Sequence, residues 1–134
     1  MRQVVTTGLP PEPAPFSHAV IANGLVFTAH LPIRSDGTAE TGSARAQAEL
    51  ALANLRQAVE AAGAGLDDVA QVILFITRLE DKPAIDDAYA RVFRPPYPSR
   101  ACIVVQALAV PGTRLEILAY AALPRAHDAR GRSH

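Results

Sequence analysis

Arg100 is the side chain in this sequence best suited to chemistry. It follows Tyr97-Pro98-Ser99 and opens the run Ala101-Cys102-Ile103-Val104-Val105. Side chains alternate along a strand, so Arg100, Cys102 and Val104 share one face. A guanidinium at a strand mouth, held by a rigid proline loop, suits bidentate capture of a carboxylate. The plainer alternative is an arginine at the sheet rim, solvated or paired with an acid.

The other reactive residue types offer less. Cys102 is the only cysteine, so an intramolecular disulfide and a cysteine-rich zinc site are excluded. A nucleophilic thiol needs an activating histidine, and none stands beside it in sequence, so Cys102 reads as a packing residue. His18 and His30 lack ligand-spaced partners, and His127 and His134 lie in the last residues; no metal is expected. His30 can titrate near neutrality, although a histidine in an apolar strand is usually held by a hydrogen bond. Asp67-Asp68 opens a strand rather than pairing for acid–base work. There is no phosphate-binding loop, Ser-His-Asp spacing or basic–aromatic stripe.

The elements that must position Arg100 follow from periodicity. Gln3–Thr7 reads as a short strand. Ser17–Ala22 and Leu25–His30 flank Asn23-Gly24, a hairpin signal because both turn residues tolerate positive φ. Ser35-Asp36-Gly37-Thr38 reads as a second turn. From Ser43 to Ala62 apolar residues recur at helical spacing (Ala48, Leu52, Leu55, Val59, Ala62), and Gly63 and Gly65 end the helix. Val69–Thr77 is an apolar strand. Asp81 is placed to cap a shorter helix through Phe93, with Pro83 in its first turn and Ile85, Ala88, Tyr89 and Val92 as its apolar stripe. Arg94–Ser99 holds three prolines in six residues and is loop. Ala101–Ala107 is a strand, Pro111-Gly112 a turn, and Leu115–Leu123 the last strand.

This order predicts an α+β fold: one mixed sheet with two helices on one face. Residues 1–123 read as one domain and 124–134 as a disordered tail. Two strands are apolar on both faces. Val69, Ile73 and Phe75 oppose Val72, Leu74 and Ile76; Leu115, Ile117 and Ala119 oppose Leu118 and Tyr120. Two helices cover only one face, so another copy of the chain is the expected cover for the second.

Composition narrows the partners. Basic and acidic residues number 13 each, for a net charge of zero, which argues against nucleic acid or an anionic membrane. No apolar run reaches the roughly 18 residues of a membrane span. The proline-rich Met1–Pro15 lacks a signal peptide's apolar core, so a cytoplasmic location is expected.

From about Pro15 to Leu123 the chain resembles the RidA (YjgF/UK114) family. Pro98-Ser99-Arg100-Ala101-Cys102 is similar to the family's proline–small–arginine–small–cysteine signature. Thr28-Ala29-His30-Leu31-Pro32 stands where the family has Ser-Gly-Gln-Ile/Leu-Pro. Gln47 with Asn54, Ala61-Ala62-Gly63, Asp68-Val69, Tyr89–Phe93 and Leu115-Glu116-Ile117 match in order. The resemblance implies a chorismate-mutase-like α+β fold that assembles into a trimeric barrel, with ligand sites between subunits. It implies a 2-iminobutanoate/2-iminopropanoate-type deaminase, which hydrolyses 2-aminoacrylate-type imino acids to 2-oxo acids and ammonia without a cofactor. By position, Arg100 would hold the carboxylate, with Phe16, Thr28, Ala29, Asp86, Cys102 and Leu118 around the substrate.

Several of these positions depart from the family pattern. The family's water-binding glutamate falls at Leu118, its tyrosine at Phe16, its serine at Thr28, its glycine at Ala29 and its asparagine at Asp86. Loss of an acid–base group costs about 10²–10⁴ in rate, so Leu118 weakens the deaminase, though an apolar residue there suits a bulkier substrate. Glu116 and Tyr120 share Leu118's strand parity and are the available substitutes, with a subunit salt bridge and packing as their plainer roles. The alternatives are a non-enzymatic small-carboxylate-binding protein of the same fold, a pathway-specific deaminase of an aminomuconate-like intermediate, and, more remotely, a chorismate mutase.

Overall fold

The computed structural model describes residues 1–125, and the predicted tail lies outside them from residue 126 onward. Its strands are β1 (Gln3–Val4), β2 (Ala19–Ala22), β3 (Leu25–His30), β4 (Val69–Ile76), β5 (Ser99–Val104) and β6 (Leu115–Ala122); its helices are α1 (Ala44–Ala61) and α2 (Lys82–Ala90). The strands form one sheet in the order β1-β2-β3-β6-β4-β5. Only β4 and β5 pair in parallel, joined by α2; the other pairs are antiparallel. This is the mixed α+β architecture expected.

Local chemistry explains the corners. Asn23 and Gly24 have φ of 56° and 78°, the left-handed pair that a two-residue hairpin loop requires. Ser43 caps α1 by accepting a hydrogen bond from the Ala46 amide at 3.1 Å. At the far end Gly63 takes φ +95°, and the Ala64 N–H returns to the Val59 carbonyl at 2.9 Å, closing the helix with a left-handed residue.

The core lies between the helices and one sheet face. Val26 of β3, Val72, Leu74 and Ile76 of β4, and Leu115, Ile117, Ala119 and Ala121 of β6 are buried with Leu52, Leu55 and Val59 of α1 and Ile85 and Tyr89 of α2. The other face is apolar but open. Leu25, Phe27 and Ile103 are 40%, 39% and 43% exposed, and Ile73, Phe75, Leu118 and Tyr120 are half-buried.

Four details differ from the sequence reading. A bulge between Val69 and Gln71 turns Val69 to the buried face, away from Ile73 and Phe75 with which alternation grouped it. β5 stops at Val104, short of Ala107, because β4 ends at Ile76 and the Val105 amide makes the last bond to it at 2.8 Å. α2 ends at Ala90 rather than Phe93, its last turn tightened ahead of Pro95. Asp81 precedes α2 but makes no side-chain cap bond. Its carboxylate instead accepts two hydrogen bonds from Arg114, at 2.8 and 2.5 Å.

Two polar side chains clamp the layers. Gln47, fully buried, donates to the Gly42 and Gly112 carbonyls and accepts from the Arg114 amide at 2.7 Å. Asn54 donates to the Leu31 and Ile33 carbonyls, fixing the segment after β3 against α1.

Candidate functional site

The site residues named from sequence fall into two groups. The first surrounds Arg100. Register pairs Arg100 with Val72 and Cys102 with Leu74, so both share the helix-covered face, as alternation predicted. Because β5 is the edge strand, that face is thinly covered there. Arg100 Nη2 reaches Asp86 Oδ1 at 2.8 Å, and Lys82 Nζ reaches the other oxygen, Oδ2, at 2.7 Å. The guanidinium carbon stands 4.8 Å from the centroid of the Tyr89 ring, within cation–π range. Asp86 thus holds one nitrogen while the ring sets the plane of the guanidinium. Among the described residues none engages Arg100 Nε or Nη1.

Electrostatics follow the packing. Partial burial works against ionisation of Asp86, but its contacts with Lys82 and Arg100 outweigh that and hold the carboxyl below the usual range. Lys82, Asp86 and Arg100 together carry one net positive charge, so the cluster still attracts an anion. Burial pushes the Tyr89 phenol up to about 12, and its hydroxyl has no partner among the described residues.

The second group is built around Ala29 and Leu118, which alternation places on the opposite face of the sheet. Phe16 and Ala29 line a pocket of about 400 Å³ with His18, His30, Leu31 and Glu116, walled further by Leu9, Pro10, Ala14, Ser17, Ile33, Ala109 and, from α1, Asn54; His30 and Asn54 belong to the helix-covered side, so the pocket wraps around the end of β3. Phe16 meets His18 edge-on at 5.6 Å. His18 stacks on His30 at 6.2 Å and its Nε2 lies 2.7 Å from the Pro10 carbonyl. His30 is 3% exposed and its Nε2 has no partner among the described residues. Burial, then the neighbouring His18, lowers its pKa to about 3, so it is neutral at physiological pH. The hydrogen bond expected to hold it is absent at that nitrogen. Burial raises the Glu116 carboxyl above its ordinary value.

Leu118 pairs with Ala29 on β3 and Ile73 on β4, placing it beside this second group. Thr28 does not join it. Strand alternation turns Thr28 to the buried side, where its Oγ1 is 3.5 Å from the Ala119 carbonyl.

The chain therefore brings Arg100, Asp86 and Cys102 together, and Phe16, Ala29 and Leu118 together, but not one set with the other. Three inter-strand steps separate β3 from β5, about 14 Å, and the two sets use opposite faces. Sequence reasoning missed Tyr89 as a partner of the arginine and Lys82 as a second partner of Asp86. The signal was available: positions 82, 86 and 89 repeat at helical spacing and so share one side of α2. By spacing alone Tyr89 belongs to the apolar stripe of the helix. Among the described residues no group of three or more His, Cys, Asp or Glu side chains is arranged to hold a metal, and no helix is long and apolar enough to cross a membrane.

Comparison with known proteins adds three findings to the family match. Residues 8–123 match the family model described as Endoribonuclease L-PSP. A protein of Dermatophagoides farinae named 2-iminobutanoate/2-iminopropanoate deaminase is 33% identical over 111 residues, covering 80% of this chain and 86% of that protein. The crystal structure of RidA from an Antarctic Psychrobacter superposes with a TM-score of 0.84 at 28% identity, covering 90% of this chain and 99% of that one. E. coli TdcF, crystallised with bound serine, gives 0.82 at 30% identity, covering 90% and 98%.

Proposed function

Because the chain belongs to the Endoribonuclease L-PSP family, which includes RidA and UK114 proteins, we propose that it is an enamine/imine deaminase. It hydrolyses a 2-imino acid to the 2-oxo acid and ammonia, and it favours side chains bulkier than that of iminopropionate. The observation that carries this reading is Arg100, held by Asp86 and Tyr89 at the sheet edge with Nε and Nη1 uncommitted.

The chemistry asks little beyond positioning. Arg100 binds the substrate carboxylate, which fixes the neighbouring C=N carbon. Apolar walls hold the side chain, and water attacks the fixed carbon. The second group of residues supplies those walls. The two groups lie too far apart to close on one substrate within a chain, so a neighbouring copy brings its Phe16, Ala29 and Leu118 to the Arg100 edge. This also covers the open apolar face, and a homotrimer with interfacial clefts is the assembly proposed. The E. coli relative's bound serine, an amino acid bearing a carboxylate, supports a small carboxylate as ligand.

A second reading rests on Leu118. With no carboxylate at that position, a binding protein for 2-oxo acids is the competing function. Imino acids generated in situ by an amino-acid oxidase separate the two. Faster release of 2-oxo acid and ammonia, abolished by Arg100→Ala, supports the deaminase. No acceleration, with 2-oxo acid binding still dependent on Arg100, supports the binding protein.

A further inference from the structure

Two arginine–aspartate pairs involve α2 and the turn before it, and only one of them is closed. Arg114 forks onto Asp81, its Nε donating to Oδ2 at 2.8 Å and its Nη2 to Oδ1 at 2.5 Å. Both carboxylate oxygens and two guanidinium nitrogens are taken, the arrangement these groups favour when nothing competes. Arg100 and Asp86 do not close in this way. Only Oδ1 faces Nη2, at 2.8 Å, and that contact is a charge pair without the alignment of a hydrogen bond. The other oxygen, Oδ2, is turned to Lys82, whose ammonium donates to it at 2.7 Å.

We infer that Lys82 is a positioning residue for the anion site: by holding Oδ2 of Asp86 it keeps the aspartate from closing on Arg100, which leaves Nε, Nη1 and the charge of the guanidinium to a ligand carboxylate. This rests on Arg100 being the carboxylate anchor and adds the residue that keeps the anchor open. Lys82 stands one helical turn before Asp86 on the same side of α2. A compact ammonium on a flexible stem takes one oxygen as a point charge and makes no fork of its own. The neighbouring acids do not compete for it. Asp81 is held by Arg114, and Asp87 by Arg45 and Arg91. Glu80 is exposed.

Removing Lys82 acts on Arg100 in two ways that add. Asp86 becomes free to turn its second oxygen onto the guanidinium, while the Tyr89 ring, 4.8 Å from the guanidinium carbon, keeps Arg100 in place to receive it. The three charged groups, +1 together, become a neutral pair. Asp86 is ionised throughout the neutral range. Partial burial opposes its charge, but the contacts with Lys82 and Arg100 outweigh that and hold its carboxyl below the usual value.

The test uses the full chain and 4-methyl-2-oxopentanoate, the 2-oxo acid of leucine, as the probe. Affinity is read by titration calorimetry and assembly by sedimentation. Arg100→Ala, expected to abolish binding, establishes the site. Lys82→Met is expected to weaken binding about tenfold, and Lys82→Arg to recover most of that loss. An amide has one acceptor oxygen and cannot close the fork. In an Asp86→Asn chain, therefore, Lys82→Met is expected to change affinity by less than about twofold. Equal losses in the two backgrounds would overturn the inference, since Lys82 would then attract the ligand directly. Wild-type affinity in Lys82→Met would overturn it as well. So would a loss that tracks dissociation of the assembly in both Lys82→Met and Lys82→Gln. A wild type that does not bind the probe, or an Arg100→Ala chain that binds it equally, removes the anchor reading and this inference together.

Discussion

Asp86 and Arg100, one on the second helix and one on the edge strand, are joined at 2.8 Å, so the guanidinium proposed to anchor substrate already holds a carboxylate. That contact does two opposing things. It aims Arg100 over Tyr89, and it places a negative charge beside the position a substrate carboxylate must take.

Replacing Asp86 with Asn keeps a hydrogen-bonding partner for Arg100 and removes the charge. Relief of carboxylate–carboxylate repulsion at this partly exposed position is about 1 kcal/mol. Asp86→Asn is therefore expected to tighten 2-oxo acid binding roughly fivefold, measured by titration calorimetry. Weaker binding in the variant would show that aiming Arg100 outweighs the repulsion.

Leu118 bears on substrate choice. Opposite Ala29 and Ile73, it offers an apolar surface to a substrate side chain. In Leu118→Glu, a bulky apolar side chain would have to desolvate a carboxylate. The ratio of kcat/KM for the imino acid of leucine to that of alanine is expected to fall about tenfold, corresponding to about 1.4 kcal/mol. An unchanged ratio would place Leu118 away from the substrate.

His30 sets an acid limit on stability. Its pKa is about 3 in the folded chain against 6.5 for the free side chain, so between these values the unfolded chain binds the extra proton. Stability is complete above pH 6.5 and is lost as pH falls toward 3. The loss between pH 7.5 and pH 5 is about 2 kcal/mol. Urea unfolding at fixed protomer concentration should show that drop in the wild type and a drop smaller by this amount in His30→Gln.

Arg114 and Asp81 form the most enclosed ion pair described, the Asp81 side chain being only 7% exposed. Arg114→Ala strands that carboxylate and is expected to cost about 3 kcal/mol. Asp81→Asn in the same chain should return part of the loss. Additive losses in the double variant would mean the pair contributes nothing as a pair.

The sequence was informative wherever one periodicity governs a stretch of chain. Asn23-Gly24, the α1 stripe ending at Gly63, and the two-sided apolarity of β4 and β6 each follow from spacing and reappear in the structure. Arg100 and Cys102 share a face for the same reason. Tertiary choices were not legible. Asp81 has the type and place of a cap, but Arg114, 33 residues away, offers a charged donor and takes it. Val69 changes faces through one extra residue that leaves no pattern. Thr28 and Ala29 are neighbours in the motif, yet alternation turns one into the core and the other to the open face. The motifs also gave no sign that Arg100 lies on the opposite face of the sheet from Ala29 and Leu118, three strands away, because strand order is not written in strand spacing.

That division has a genetic meaning. In a cleft shared between copies, as proposed here, each chain lends its arginine to one site and its pocket to another. Two alleles that are each silent, one broken at Arg100 and one at Phe16, would then restore function when expressed together, since a mixed assembly still contains a cleft built from the undamaged half of each.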